Sequence, residues 1–236
     1  MRFAILAAGE GSRLAQEGIQ SPKPLVRVAG ECLIDRLLRI FDACGADEIV
    51  VICNALTNQV RDHLRGCTTR ARLTVLQQTT PSSMHSMGVL APYLRGGKFI
   101  ATTCDTIFDE REFIAYARSF AQNAHADGMM AATRFVDDEK PLWIQTDGAR
   151  IVGFHDTNAD GRCSLVSGGI YGLNERALDI LAQCLAQGKA RMRNFQRELV
   201  AQGLCLEVSV LDHVLDIDHA ADIAKAEKQI AIWKNE

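Results

Sequence analysis

Short apolar runs alternate with segments of helical periodicity along the first half of the chain, and this alternation limits its fold more than any other feature. The runs at 3–8, Glu48–Cys53 and 98–103 have the length and unbroken apolar character of buried parallel strands. Between them, Leu33–Ala43 has apolar residues at helical spacing, and 84–94 predicts another helix. Strands that alternate with helices indicate an α/β fold, here a Rossmann-like, mostly parallel central sheet flanked by helices.

The second half of the chain predicts a mixed sheet. A helix at 110–123 and a strand at 128–134 are followed by short extended pieces, which Asp-Gly turns at 147–148 and 160–161 help to separate. The extended pieces lie at 142–145, 150–155 and 168–173. The remaining predicted elements are two helices, a strand and a closing helix, at 175–186, 193–202, 204–210 and 221–233.

Length and composition are those of one globular domain. The chain has 236 residues, of which 47% are hydrophobic and 23% charged, and no stretch reads as a linker. We therefore predict a single domain over 1–236. The formal net charge of -3 provides no general basic field, so an anionic partner must be held by local groups. Broad binding of nucleic acid is disfavoured for the same reason.

The eight cysteines are scattered, with no C-x-x-C pair and no Cys/His cluster at zinc-finger spacing. This pattern predicts reduced, mostly buried thiols and favours a reducing cytoplasm. The apolar segment at 1–8 is too short for a secretory signal, and no apolar run reaches the length of a membrane span. The sequence therefore predicts a cytoplasmic protein without a membrane partner, and it leaves open whether the chain forms a homo-oligomer.

A glycine turn directly after the first strand is the strongest functional signal. Residues 6–14 read LAAGEGSRL and residues 21–25 read SPKPL. Such a turn exposes backbone N–H groups that can bind phosphate oxygens, and Arg13 and Lys23 add positive charge. The segment therefore predicts a triphosphate site. Its predicted contacts are Ala8, Gly9, Gly11, Ser12 and Arg13.

This turn differs from the two common glycine-loop motifs. The dinucleotide fingerprint needs a third glycine where Leu14 stands, and the Walker loop needs Ser or Thr where Pro24 follows Lys23. The alternative for the two glycines alone is a plain strand-to-helix turn.

Two aspartates are candidate metal ligands. Asp105 directly follows an apolar strand, so its carboxylate belongs at the carboxyl end of the sheet, where α/β proteins bind ligands. Asp218 lies in the segment 215–218, which reads LDID and precedes the closing helix. The alternative for Asp218 is a helix N-cap.

The loop Gly9-x-Gly11-x-Arg13 followed by Pro22-Lys23-Pro24 resembles the sugar-phosphate nucleotidyltransferases, also called nucleotide-sugar pyrophosphorylases, including their phosphocholine cytidylyltransferase-like branch. The resemblance implies a fold of the nucleotide-diphospho-sugar transferase type. It implies transfer of a nucleoside monophosphate from a nucleoside triphosphate to a small phosphorylated acceptor, with release of pyrophosphate. It also implies that Lys23, Arg13 and Asp105 are catalytic and that Asp105 and Asp218 hold Mg2+.

The resemblance extends to the base and acceptor sites. Residues 77–87 resemble the base-reading segment of N-acetylglucosamine-1-phosphate uridylyltransferases, with Gln77, Ser82 and Ser83 at base-contact positions, which favours UTP or CTP. The alternatives are that the serines cap the next helix and that Gln77 only bonds the nearby backbone. Residues 167–171 resemble the acceptor segment of the family. The predicted acceptor contacts are Trp143, Ser167 and Gly168, with plain packing as the alternative for Trp143.

These assignments divide the chain into a nucleotide-binding half, about 1–110, and a half of about 111–236 that binds the acceptor and carries the second metal ligand. Three functions stay open at this point. The first is transfer to a sugar 1-phosphate, and the second is the same chemistry on a non-sugar such as phosphocholine or a phosphonate. The third is a non-catalytic nucleotide-binding regulator, which retention of Lys23, Asp105 and Asp218 together disfavours.

Overall fold

The computed structural model describes residues 1–137 and 140–235, and within these ranges a sheet of nine strands forms the centre of the protein. The strands, in chain order, are β1 (Arg2–Ala7), β2 (Arg27–Val28), β3 (Glu31–Cys32), β4 (Glu48–Cys53), β5 (Arg72–Gln77), β6 (Phe99–Thr103), β7 (Thr106–Phe108), β8 (Gly128–Thr133), β9 (Trp143–Asp147), β10 (Arg150–His155), β11 (Leu165–Leu173), β12 (Leu206–Val210) and β13 (Val214–Asp216). The α-helices are α1 (Ser12–Gln16), α2 (Leu33–Ala43), α3 (Gln59–Gly66), α4 (Ser83–Leu94), α5 (Glu110–Gln122), α6 (Glu175–Ala186), α7 (Met192–Ala201) and α8 (Ala220–Asn235). A 3-10 turn covers Lys23–Leu25.

The central sheet has the strand order β5-β4-β1-β6-β11-β8-β12-β10-β9. The first four strands are mutually parallel, whereas β11 runs antiparallel to both β6 and β8. Strand β12 is parallel to β8, and β10 is antiparallel to β12 and β9. Among the described strands of this sheet, only β10 and β11 therefore oppose the common direction. The predicted α/β fold with a mixed, mostly parallel central sheet is confirmed.

Helices cover both faces of the sheet. Phe3 and Ile5 of β1 belong to an apolar cluster with residues of α2, α3 and α5, while Ala4 and Leu6 belong to a second cluster with residues of α4, α6 and α7. Successive strand residues point to opposite faces, so an unbroken apolar strand needs cover on both sides. This double burial explains why the first-half strands were recognisable as continuous apolar runs.

A third apolar cluster joins the two ends of the chain. Val28 of β2, Leu215 of β13 and Trp233 of α8 are buried together in it. Strand β13 also pairs antiparallel with β7, which places Asp216 opposite Thr106. The C-terminal segment is therefore packed against the glycine-turn region, and Asp218 is brought next to Lys23.

The hairpin of β2 and β3 was not predicted from the sequence. Its turn residues Ala29 and Gly30 have φ angles of 53° and 84°, the left-handed pair that a tight two-residue hairpin requires. The backbone N–H of Ala29 donates to Glu227 Oε1 of α8 at 3.0 Å, which helps to hold a non-glycine residue in this conformation. Within the described ranges, no helix combines the length and the apolar character needed to cross a membrane.

Asp127 connects three elements of the second half. Its carboxylate accepts hydrogen bonds from the backbone N–H of Cys205 at 2.9 Å, from the Asn174 amide at 2.9 Å and from Arg176 at 2.8 Å. Although burial opposes the shift, these donors lower the pKa of Asp127. The stabilisation is present above the unfolded pKa near 4 and is lost as the pH falls through the lower folded pKa.

We expect Asp127→Asn to lower the free energy of unfolding at pH 7 by about 1 kcal/mol or more, because it weakens hydrogen bonds to a charged group. For a domain of this size this corresponds to a fall in Tm of about 2–4 °C. Thermal melts at pH 7 and pH 3 would measure it, with the exposed Asp62→Asn as the control. If the Tm of Asp127→Asn lies as far below that of the wild type at pH 3 as at pH 7, the charge of Asp127 is not the source of the stabilisation.

Candidate active site

The glycine turn and the lysine segment meet at Gly11. Its φ angle is 63°, and a Cβ atom placed there would lie 3.1 Å from Cβ of Lys23. Both the left-handed backbone and the close approach therefore favour glycine at this position. The side-chain amide of Asn54 donates to the carbonyl of Ala8 at 3.1 Å, which anchors the start of the turn to the next strand.

One cleft of about 730 Å³ lies over the carboxyl ends of the first-half strands. It contains the predicted triphosphate loop, the serine pair and both predicted metal ligands. The predicted site residues that line it are Ala8, Gly9, Gly11, Ser12, Arg13, Lys23, Ser82, Ser83, Asp105 and Asp218. Residues separated by as much as two hundred positions in the sequence are thus gathered as the resemblance implies.

Lys23 lies between two carboxylates on the wall of this cleft. Its Nζ forms an ion pair with Asp105 and donates to Asp218 Oδ1 at 2.8 Å, and its side chain is only 11% exposed. Burial alone would lower the pKa of Lys23, but the two carboxylates outweigh burial and raise it, so Lys23 stays charged.

Arg13 completes this network of charges. Its Nη1 donates to Asp218 Oδ2 at 2.7 Å, so the carboxylate of Asp218 is held by a cation at each oxygen. Partial burial opposes ionisation of Asp218, but the hydrogen bond and charge of Lys23 and the charge of Arg13 lower its pKa. The side chain of Arg13 is 62% exposed, which leaves it free to reach a ligand in the cleft.

Asp105 has the properties expected of a metal ligand. One of its oxygens, Oδ2, contacts Lys23, while Oδ1 is buried and has no hydrogen-bond partner among the residues that the structure describes. A buried oxygen without a partner is costly unless a ligand satisfies it. Carboxylate oxygens are also the donors that Mg2+ prefers, so Asp105 and Asp218 fit a magnesium ion.

Sequence reasoning missed a third carboxylate, that of Asp216. Crowding by protein atoms and, above all, the like charges of Asp105 and Asp218 raise the pKa of Asp216, although its side chain is exposed to solvent. The spacing of Asp216 and Asp218 was the signal, since residues two apart in an extended segment share one face.

The residues predicted to read the base lie in two different places. Ser82 lines the cleft and caps α4, because its Oγ accepts from the backbone N–H of His85 at 3.4 Å and lies 2.9 Å from His85 Nδ1. The Gln77 side chain instead donates to the Thr57 carbonyl at 3.1 Å and accepts from Arg61 at 3.0 Å. Among the described residues that line the cleft, Gln77 is absent, so its contact with a base stays a prediction.

A second cavity of about 480 Å³ adjoins the cleft. Arg13 and Asp218 line both spaces, and the predicted acceptor residues Ser167 and Gly168 line the second one. The Gln196 amide donates to Ser167 Oγ at 3.2 Å and positions that hydroxyl. Further charged residues line this cavity, including Arg193, Lys225 and Asp216.

Trp143 is not among the described residues that line this second cavity. It is half-buried on β9, where it pairs with His155 of β10 and Val166 of β11. Its role at an acceptor stays a prediction. The backbone positions of β9 and β11 nevertheless place it on the same sheet as Ser167.

The glycine turn, the cationic pair and the three aspartates are the features expected of an α/β protein that binds a nucleotide. Residues 3–203 match the family model of the MobA-like NTP transferase domain, and the chain belongs to that family. The predicted recognition of a nucleotidyltransferase is thereby confirmed.

Individual relatives agree with this assignment. The bifunctional protein GlmU of Francisella tularensis subsp. novicida (strain U112) is 29% identical over 142 residues, which cover 60% of this chain and 29% of that protein. The match thus spans less than a third of the length of that curated relative.

Two solved structures share the fold. The inositol-1-phosphate CTP transferase from T. maritima superimposes with a TM-score of 0.82 at 16% identity, covering 99% of this chain and 96% of the other. A protein from Bacillus anthracis described as a glucose-1-phosphate thymidylyltransferase gives a TM-score of 0.84 at 16% identity, covering 97% and 94%. At these identities the likeness establishes the fold.

Proposed function

We propose that this protein is a magnesium-dependent nucleotidyltransferase that transfers a nucleoside monophosphate from a pyrimidine nucleoside triphosphate to a sugar 1-phosphate and releases pyrophosphate. The observation that carries the proposal is the position of Lys23, held between Asp105 and Asp218 beside the glycine turn. A preformed cation among carboxylates at a phosphate-binding turn suits a reaction whose main demand is charge neutralisation.

The acceptor needs no general base. A phosphate monoester has a second pKa near 6, so it is mostly dianionic at neutral pH and already nucleophilic. The protein therefore has to position the two phosphates and reduce their repulsion. The second cavity, which shares Arg13 and Asp218 with the cleft, is where we place the acceptor, with Ser167 and Gly168 beside it.

Lys23 and Arg13 act on the triphosphate. Both cations are paired with carboxylates in the cleft. We expect the triphosphate to draw them to the phosphate oxygens, where they offset the charge of the departing pyrophosphate while the acceptor oxygen attacks the α-phosphorus in line. Mg2+ held by Asp105 and Asp218 would neutralise phosphate charge as a Lewis acid.

The acceptor class rests on the relatives. The two structural neighbours are described as acting on inositol 1-phosphate and glucose 1-phosphate, which are both phosphate monoesters of a six-membered polyhydroxylated ring. A sugar 1-phosphate is therefore the first acceptor to test. Phosphocholine and a phosphonate belong in the same panel as non-sugar acceptors.

A pyrophosphate-release screen tests the proposal. It crosses the four common nucleoside triphosphates with sugar 1-phosphates, a polyol phosphate, phosphocholine and a phosphonate, each with Mg2+ and with excess chelator. We expect release that needs both substrates and Mg2+. Nucleotide binding without pyrophosphate release in any combination would favour the non-catalytic regulator instead.

We expect UTP or CTP to give a higher kcat/KM than ATP or GTP. Ser82 and Ser83 line the cleft, and a serine in place of glycine narrows the space for a purine. Discrimination is strong when a wrong base leaves a buried polar group unpaired. Initial rates with all four triphosphates at subsaturating concentration would measure the preference, and a purine with the highest kcat/KM would contradict it.

Two N-cap variants separate base reading from helix stability. Ser82 caps α4 beside the cleft, and Asn174 caps α6 outside it. Loss of the cap is expected to cost about 1 kcal/mol of stability in either alanine variant, and Asn174→Ala should cost more in total because its amide also donates to Asp127. Only Ser82→Ala should also lower the ratio of pyrimidine to purine kcat/KM. An equal ratio in both variants would assign base selection to other groups.

A further inference from the structure

Two thiols, an imidazole and a carboxylate lie together outside the nucleotide cleft. Cys32 is the residue before α2, and Asp35 lies in the first turn of that helix. His63 lies in the last turn of α3, and Cys67 is the first residue after that helix. These four residues are called the α2–α3 cluster below. None of them is among the described residues that line the nucleotide cleft or the acceptor cavity.

Three donor atoms of the α2–α3 cluster are close to one another, and the fourth, Cys67 Sγ, contacts one of them. Those of Cys32, Asp35 and His63 all lie within 4.8 Å of each other. His63 Nε2 is 2.7 Å from Asp35 Oδ1, and Cys67 Sγ is 3.6 Å from the same oxygen. With Zn–S near 2.3 Å and Zn–N near 2.0 Å, neighbouring ligands of tetrahedral zinc are about 3.3–3.8 Å apart. The donor atoms of Cys32, Asp35 and His63 therefore approach this geometry to within about 1.5 Å, and Cys67 Sγ lies beside the Asp35 oxygen as the fourth candidate ligand.

We propose that Cys32, Asp35, His63 and Cys67 bind one zinc ion. Two thiolates, a neutral imidazole and a carboxylate form a four-ligand set that suits Zn2+ and is too soft for Mg2+. Four protein ligands also close the coordination sphere, which is typical of a structural zinc site. The proposal is independent of the nucleotidyltransferase activity.

Binding of the ion releases the two thiol protons to solvent. Burial and the neighbouring Asp35 carboxylate raise the pKa of both thiols, that of Cys67 to about 11, so the metal-free thiols are protonated. A divalent cation reverses this preference, because a coordinated thiol is deprotonated outright. The net charge of the four ligands with the ion is then -1, and the positive charge of Arg27 acts on Cys32.

An adjacent cavity gives a metal ion access to the α2–α3 cluster, and one contact of Cys32 connects the cluster to the Lys23 segment. A cavity of about 720 Å³ opens onto Asp35, His63 and Cys67, which provides a route from solvent. Cys32 Sγ donates to the carbonyl of Leu25 at 3.5 Å, and Leu25 ends the short turn that begins at Lys23. Zinc would remove this hydrogen bond, because a coordinated thiolate has no proton to donate, and it would therefore alter the contact between the α2–α3 cluster and the segment that carries Lys23.

The test uses the full chain, purified in reductant and stripped of metal, and titrated with Co2+ and then Zn2+. We expect one Co2+ per chain with thiolate-to-cobalt charge-transfer absorption, and displacement of that ion by Zn2+. Competition with a chromophoric chelator then gives the Kd for zinc. Cys67→Ser should weaken zinc binding by more than about 100-fold, above the range for groups that only orient a ligand.

Two variants outside the cluster serve as controls, and a second cluster variant repeats the test. Cys44→Ser removes a half-buried thiol outside the cluster and should leave the zinc Kd unchanged. Asp105→Asn alters the carboxylates of the cleft and should leave the thiolate absorption unchanged. His63→Ala should weaken zinc binding as Cys67→Ser does, and zinc should raise the Tm of the wild type but of neither cluster variant.

Several results would overturn the zinc site. One is a wild-type Co2+ spectrum without thiolate absorption. Another is the same zinc Kd for Cys67→Ser, provided that its circular dichroism shows a folded chain. A third is a Cys32–Cys67 disulfide, detected by mass spectrometry after thiol alkylation, that persists in reductant and excludes the metal.

Discussion

Replacing Lys23 by alanine is expected to lower kcat by at least about a hundredfold, the cost commonly seen when one preorganised donor to a developing negative charge is lost. Lys23 donates to Asp218, pairs with Asp105 and faces the cleft beside the glycine turn. The loss should fall mainly on kcat, because in the proposed reaction the lysine would act on charge that develops during transfer. Steady-state kinetics with the acceptor found in the screen would measure it.

The same variant has a second, structural consequence. Without Lys23, Asp105 loses its ion pair and Asp218 loses one of its two, so the carboxylates of Asp105, Asp216 and Asp218 repel one another more strongly. We therefore expect a lower Tm in chelator and a recovery of Tm in Mg2+. Lys228→Ala, on an exposed position of α8, is the control and should change neither kcat nor Tm. A Lys23→Ala protein that keeps near-normal kcat would move the catalytic role to another group.

Asp105→Asn is expected to abolish magnesium-supported turnover, again by at least about a hundredfold, since a metal at the transferring phosphate contributes several kcal/mol. The substitution preserves side-chain shape and removes the charge, and within the described part of the chain Asp105 Oδ1 is a buried oxygen without a hydrogen-bond partner. Because the change also removes one of three repelling carboxylates, the fold should persist without metal.

Calorimetry separates loss of the metal from loss of the fold. With a non-hydrolysable triphosphate, the wild type should bind tightly only when Mg2+ is present. Asp105→Asn should bind with an affinity that Mg2+ barely changes. Asp62→Asn, at an exposed position of α3, should behave as the wild type does. Equal wild-type affinity in Mg2+ and in excess chelator would contradict a carboxylate-held metal.

Local patterns in the sequence predicted the first half of the sheet. Strands β1, β4 and β6 are buried on both faces, so their apolar runs were unbroken and bounded by turns. The short pairs β2–β3 and β7–β13 were missed, because two or three residues show no periodicity and pairing depends on distant partners.

The same distinction applies to the functional residues. Gly11, Lys23 and Asp105 stand in a local motif or directly after a strand, and the structure brings them into one cleft as expected. The side chain of Gln77, by contrast, forms hydrogen bonds with Thr57 and Arg61 and does not line the cleft. These partners belong to another segment of the chain, so the local motif gave no sign of them. The α2–α3 cluster was not predicted either, because its residues lie in or next to two separate helices and do not follow zinc-finger spacing.

Phosphorus NMR of a complete reaction tests the central claim most directly, because it follows every phosphate of both substrates. With Mg2+, the preferred triphosphate and the preferred acceptor, the account predicts equal amounts of pyrophosphate and of a diphosphate that joins the nucleoside to the acceptor, and neither product in the Lys23→Ala control. Formation of nucleoside diphosphate with orthophosphate, or a triphosphate that binds and stays intact, would contradict nucleotidyl transfer as the function of this protein.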